Sequence, residues 1–181
     1  MNTKPPREFM PAGIAVITIS DTRTTADDKS GNTLAARVTK AGHTLVDRMI
    51  VRDDVRQIRA AVRKLVKRKD IDVIISTGGT GLTGRDVTIE AMRPLFDKEI
   101  EGFGVVFHMI SFQKINTSTI QSRATAGVIS GTYVFCLPGS PGACRDGWDE
   151  ILVHQLDYRH HPCNFIEIMP RLEEHLKRGK S

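Results

Sequence analysis

At 181 residues and 20.1 kDa the chain is long enough to bury its own core, and 40% hydrophobic with 26% charged residues is ordinary globular composition. A net charge of +5 suits an anionic ligand, a phosphorylated small molecule or a nucleic acid, but aromatic residues are only 6%, which disfavours a base-stacking surface. Three cysteines argue against a disulfide framework, and no apolar run reaches spanning length, so the expectation is a soluble, cytoplasmic protein with no membrane and no nucleic-acid partner.

Residues 1–12, rich in proline and charge, suggest a mobile arm that lacks the apolar core of a signal peptide. Residues 13–21 (GIAVITISD) form a run of β-branched residues typical of a buried strand. A polar loop is expected over 22–32, then a helix over 33–42 ending at Gly42 as its C′ residue. Residues 43–51 suggest a second strand, followed by Asp53 and Asp54, either of which suits the cap of a basic helix. In that helix Val55, Ile58, Val62 and Leu65 form the apolar face, and Arg56, Arg59, Arg63 and Lys67 a solvated stripe. Residues 71–77 (IDVIIST) predict a third buried strand. A helix is expected over 87–100, kinked or shortened by Pro94. Residues 102–124 look helical at first and looser later, and 126–138 suggest two strands turning at Ser130–Thr132. The last long helix is expected over 142–159, and 171–181 read as a basic C-terminal tail. The alternation predicts one α/β domain with a mostly parallel central sheet.

Between the third strand and the next helix lies GGTGLTGRD, with glycines at 78, 79, 81 and 84. A glycine loop at the carboxyl end of a strand, opening a helix, is the place and the chemistry of a phosphate cradle. Gly79, Gly81 and Gly84 fit the dinucleotide fingerprint, with Glu99 about 20 residues on. However, the loop follows the third strand, not the first, and Glu99 falls at an expected helix end. A P-loop is excluded, because Arg85-Asp86 stands where Lys-Ser/Thr belongs. Arg85 can pair with phosphate or face solvent; Asp86 can cap the helix or hold Mg²⁺. Asp21 and Asp53 end the first two strands, so a parallel sheet gathers three acids at one edge, an arrangement that calls for a cation.

The stretches ISTGGTGLTGRDVTIEAM, EIEGFGVVFHMIS, QSRATAGV and LPGSPGAC together resemble the molybdenum-cofactor biosynthesis family MoaB/MogA, which includes the G-type domains of gephyrin and its plant counterpart. The resemblance runs from about Gly13 to Phe165, and the closing segment is most similar to the stand-alone MoaB branch. It implies a three-layer α/β/α sandwich over 13–170 with a mostly parallel central sheet, assembled as a trimer or hexamer, that adenylylates molybdopterin with Mg²⁺-ATP and releases pyrophosphate, with other cofactor-biosynthesis proteins as further partners. It assigns Asp53 and Asp86 as catalytic and metal-holding. The phosphate and pterin site would comprise Thr77, Gly78, Gly79, Thr80 and Gly81 of the loop, Ser20 and Asp21, Ser30, the pair Ser122 and Arg123, and the turn Pro138, Gly139 and Ser140. Arg123 is assigned to the pterin phosphate. Arg52 departs from the proline that active relatives commonly carry before the first aspartate. The resemblance is also compatible with a pterin-binding or scaffold protein that does not turn over ATP.

Other groups carry less. His154, His160, His161 and Cys163 match no zinc spacing. Cys136 reads as core. Cys144, near a helix start, is a candidate for a lowered pKa but has no base nearby in sequence. Trp148 suggests packing or subunit contact.

Overall fold

The computed structural model describes residues 6–175. Six strands form one sheet in the order β2-β1-β3-β6-β5-β4. They are β1 (Gly13–Ile19), β2 (Thr44–Val51), β3 (Val73–Thr77), β4 (Lys98–Glu99), β5 (Thr125–Ile129) and β6 (Thr132–Leu137). β2, β1, β3 and β6 run parallel, while β5 is antiparallel to both β6 and β4. All five residues of β3 and all six of β6 are buried, as expected for strands covered on both faces.

Alternate residues go to opposite layers. Ile14, Val16, Val73, Ile75 and Phe135 pack under α1 (Lys29–Lys40), α4 (Glu101–Ile115) and α5 (Pro141–Gly147). Ala15, Ile17, Ile74, Val134 and Cys136 pack under α2 (Val55–Leu65) and α3 (Thr88–Met92). The expected three-layer α/β/α architecture with a mostly parallel sheet is therefore present. No helix among the described residues is long and apolar enough to cross a membrane.

Several boundaries differ from expectation for identifiable reasons. α1 starts at Lys29, inside the expected loop, because Asp28 caps it by accepting from the Gly31 amide at 2.9 Å. Asp28 is fully buried, held by Thr18 (2.7 Å) and Arg48 (2.9 Å). The helix ends at Lys40 and Gly42 follows with φ +91°, as its composition predicts. Asp54, not Asp53, caps α2 through the Gln57 amide. The expected helix over 87–100 is cut to five residues: Pro94 falls in a 3₁₀ turn, Arg93–Leu95, and Lys98–Glu99 become the edge strand β4. Glu99 therefore lies in a strand, bonded to Arg93 and Thr125. α4 closes at Asn116, φ +51°, and loosens into a 3₁₀ segment, Asn116–Gln121. The last long helix is α5, a π turn (Trp148–Leu152) and α6 (Val153–Gln155), which seat Trp148 in the core. α7 (Phe165–Ile168) closes that layer.

The described part of the expected mobile arm is tied to the body. Arg7 pairs with Glu167 at 2.8 Å and lies over the Tyr158 ring. Phe9 packs on His43, and the Ala12 amide donates to His43 Nδ1 at 3.1 Å. Residues 1–5, and residues 176–181 of the basic tail, lie outside the described residues.

His43 accepts that bond only when neutral, and burial lowers its pKa against the opposing pull of Asp157. A depressed histidine contributes stability that is present above its unfolded pKa of about 6.5 and is lost as pH falls through the folded value. Urea denaturation at neutral pH and at about pH 5 should thus give a fall in stability that His43→Gln reduces.

Candidate functional site

The strand order turns at β1, with β2 on one side and β3 on the other, so a crevice opens at the carboxyl ends of β1 and β3. The glycine loop lies there. Gly78 (φ +102°) and Gly79 (φ +63°) form its bend, in backbone that disfavours any side chain. A Cβ on Gly78 would stand 2.2 Å from the Ile19 carbonyl oxygen. The Gly78 amide donates to Leu137 O at 3.1 Å, tying the loop to β6. Thr88 holds the other side, its hydroxyl donating to Gly78 O (2.8 Å) and its amide to Gly79 O (2.9 Å). Gly78 is therefore spent on the fold, whereas the amides of Gly79 and Thr80 have no partner among the described residues. These are the N–H groups left for an anion.

Two of the three expected acids meet across this bend. Asp53, released from capping by Asp54, reaches so far over Gly79 that a Cβ there would lie 2.7 Å from Asp53 Oδ1. Asp86 lies against Gly81, where a Cβ would be 2.8 Å from Oδ2. Asp86 is not the N-cap of α3; Val87 holds that position without a side-chain bond. Its carboxylate instead accepts from the Thr83 amide (2.9 Å) and hydroxyl (2.6 Å). Burial opposes its ionisation, but the Thr83 and Gly81 bonds and the Arg123 charge outweigh it and lower its pKa. Asp53 shifts the opposite way, raised by burial and then by the charge of Asp86. Two carboxylates in electrostatic contact beside free amides suit a hard divalent cation that keeps several waters and takes the rest of its ligands from phosphate. Asp21 does not join them. It pairs with Arg85, whose side chain is otherwise largely exposed to solvent.

The remaining expected residues divide. Ser30 donates to Gly139 O at 2.8 Å and so fixes the Pro138–Ser140 turn, which packs directly on Gly78. Ser140 caps α5 through the Ala143 amide at 3.1 Å. Thr77 is wholly buried, donating to Pro138 O at 2.9 Å, and supports the floor. Ser20 accepts from the Thr22 and Arg23 amides. Arg123 does not face open space: it donates to the carbonyls of Thr80, Gly81 and Asp86 and pairs with Glu90. Ser122 is beside it, its carbonyl 2.9 Å from His108 Nε2.

Sequence reasoning missed Arg23, which donates to Gly139 O at 2.9 Å and lies 3.7 Å from Asp28. Only its position two residues after Ser20-Asp21 hinted at it. The suggestion of a lowered thiol pKa at Cys144 is corrected: burial pushes it up to about 11, and Cys136 to about 12. No cluster of three metal-ligating side chains occurs among the described residues, His154 and His160 included.

The raised pKa of Asp53 carries a sign. A carboxyl whose folded pKa exceeds its unfolded value stabilises the fold below about pH 4 and loses that contribution as pH rises through the folded pKa. Asp53→Asn should therefore raise the melting temperature at neutral pH, with the gain vanishing near pH 4; calorimetry at both values checks it.

Comparison with known proteins places this geometry. Residues 15–158 match the family described as "Probable molybdopterin binding domain". Molybdenum cofactor biosynthesis protein B of Escherichia coli (strain K12) is 50% identical over 158 residues, covering 87% of this chain and 93% of that one. Its namesake in Bacillus subtilis (strain 168) is 43% identical over 142 residues, 78% and 84% of the two chains. A crystal structure of a molybdenum cofactor biosynthesis protein B has a TM-score of 0.82 at 40% identity, covering 94% of this chain and 99% of that one. The tungsten cofactor synthesizing protein MoaB from Pyrococcus furiosus has a TM-score of 0.71 at 34% identity, covering 91% and 96%. By sequence and by fold, the chain belongs to the molybdopterin-binding domain family, on its MoaB side.

Proposed function

We propose that this protein acts in molybdenum cofactor biosynthesis by transferring an adenylyl group from ATP to molybdopterin. The role in cofactor biosynthesis rests on the family and on relatives of that name at up to 50% identity. The transfer itself is supported chiefly by one observation: two electrostatically coupled carboxylates, Asp53 and Asp86, flank a glycine bend with free amides.

In the proposed reaction a terminal phosphate oxygen of molybdopterin bonds to the α-phosphorus of ATP. The bond from that phosphorus to its bridging oxygen breaks, and pyrophosphate leaves. The nucleophile is already an anion, so the site needs no strong general base, and its task is alignment and neutralisation. Mg²⁺, when bound, would offset the charge of the phosphate oxygens. Asp53 and Asp86 would hold it, and the Gly79 and Thr80 amides would take phosphate oxygens. Arg23 and Ser30, through Gly139 O, keep the facing turn in place.

Incubation of the protein with molybdopterin, ATP and Mg²⁺ should yield adenylyl-molybdopterin by mass spectrometry, and Asp86→Asn should reduce the rate at least about a hundredfold. A folded Asp86→Asn protein with full activity would remove the metal role. Pterin binding without product would identify a binding or scaffold protein.

Self-association through α4 is the second part of the proposal. Val105, Met109, Phe112, Ile115 and Ile120 are all exposed, Met109 by 64% and Ile120 by 73%, on one stretch of surface. Monomers rarely leave so continuous an apolar strip in water. Light scattering should give a trimer or a hexamer, and Met109→Glu should shift it toward monomer with the fold intact.

A further inference from the structure

Arg123 has its side chain only 28% exposed, and each of its three guanidinium nitrogens already has an acceptor. Nε donates to Thr80 O (3.0 Å) and Gly81 O (2.9 Å), and one Nη to Asp86 O (3.2 Å). The other Nη is paired with Glu90, whose second oxygen also lies near the first. Arg123 is itself braced from behind. The Ser122 carbonyl is 2.9 Å from His108 Nε2 on α4, and the Ser122 amide donates to Thr119 O at 3.0 Å.

We infer that Arg123 is a positioning residue that sets Asp86 by pinning the outer edge of the glycine loop, and that it is not itself a phosphate ligand. In a trans peptide the carbonyl and the following amide point in opposite directions. Holding Thr80 O outward turns the Gly81 amide inward, toward the Asp86 carboxylate that it helps to hold. Holding Asp86 O fixes the backbone from which that carboxylate springs. The planar fork of arginine can span three carbonyls and a carboxylate; the single ammonium of lysine cannot. Glu90, on α3, is the anchor that keeps the fork aimed at the loop.

The inference rests on Asp86 as a metal-holding group, and its test is independent of turnover. Amide exchange of the Gly81 region and binding of Mn²⁺, a spectroscopic stand-in for Mg²⁺, are measured for the wild-type protein, Arg123→Lys and Glu90→Gln. Loop exchange should quicken about tenfold in both variants, the scale of a lost charge-assisted hydrogen bond. Mn²⁺ binding should weaken by a similar factor, melting temperatures should stay close to wild type, and raised Mn²⁺ should restore protection. A purely structural defect would lower the melting temperature and would not be rescued by metal. Unchanged loop exchange in both variants overturns the inference. So does tighter binding of inorganic pyrophosphate by Glu90→Gln, which would mark Arg123 as a phosphate ligand restrained by Glu90. Absence of adenylyl product in the wild-type protein would count against the proposed transfer alone, since the exchange result decides the role of Arg123 either way.

Discussion

The backbone bend at Gly78–Gly79 is squeezed between the ends of two strands that are far apart in sequence. Ile19 O stands where a Gly78 side chain would begin, and Leu137 O holds the Gly78 amide. With positive φ at both residues, the loop can pass through this gap only as bare backbone. Everything else in the site follows from that passage. It brings Gly79 under Asp53, sets Thr88 against two loop carbonyls, and leaves the Gly79 and Thr80 amides without a hydrogen-bond partner among the described residues.

Around the bend the charges are arranged in opposition. Asp86 is stabilised as an anion by its hydrogen bonds, whereas Asp53 is disfavoured by burial and by Asp86 itself. A protein built only for stability would avoid the second carboxylate, because α2 already has its cap in Asp54. In the proposed transfer, this pair is what would hold Mg²⁺. Of the arginines nearby, Arg123 helps by its charge to keep Asp86 ionised, whereas Arg85 is engaged by Asp21 and Arg23 reaches Gly139 O.

The period of the hydrophobic residues made the layers legible. The β-branched runs at 13–19 and 73–77 left no alternative to covered strands, and the glycine spacing marked the loop. What stayed hidden was decided by tertiary contact. Asp28 starts α1 early because Arg48 and Thr18 make its burial tolerable, and these partners lie 20 and 10 residues away. Lys98–Glu99 read as helix, yet Pro94 had already stopped it and β5 offered an open edge. Adjacent aspartates at 53 and 54 could not be told apart until one of them accepted the Gln57 amide. Arg123 was legible as a charged residue near the site. Its direction was not, because its partners are carbonyls about 40 positions upstream. The N-terminal arm looked free because the aromatic and acidic groups that hold it come from the other end of the chain.

The tie between Gly78 and Leu137 also bears on how the molecule comes into being. The glycines are made first, and their partner on β6 and the Gly139 turn that packs on them emerge about 60 residues later. Contacts of such separation form late, after local helices and neighbouring strands. On the ribosome, the nascent glycine segment therefore has no fixed shape until the sixth strand slides in beside the third. A chain that stalls short of that point lacks the β6 and Gly139 contacts that hold the glycine bend.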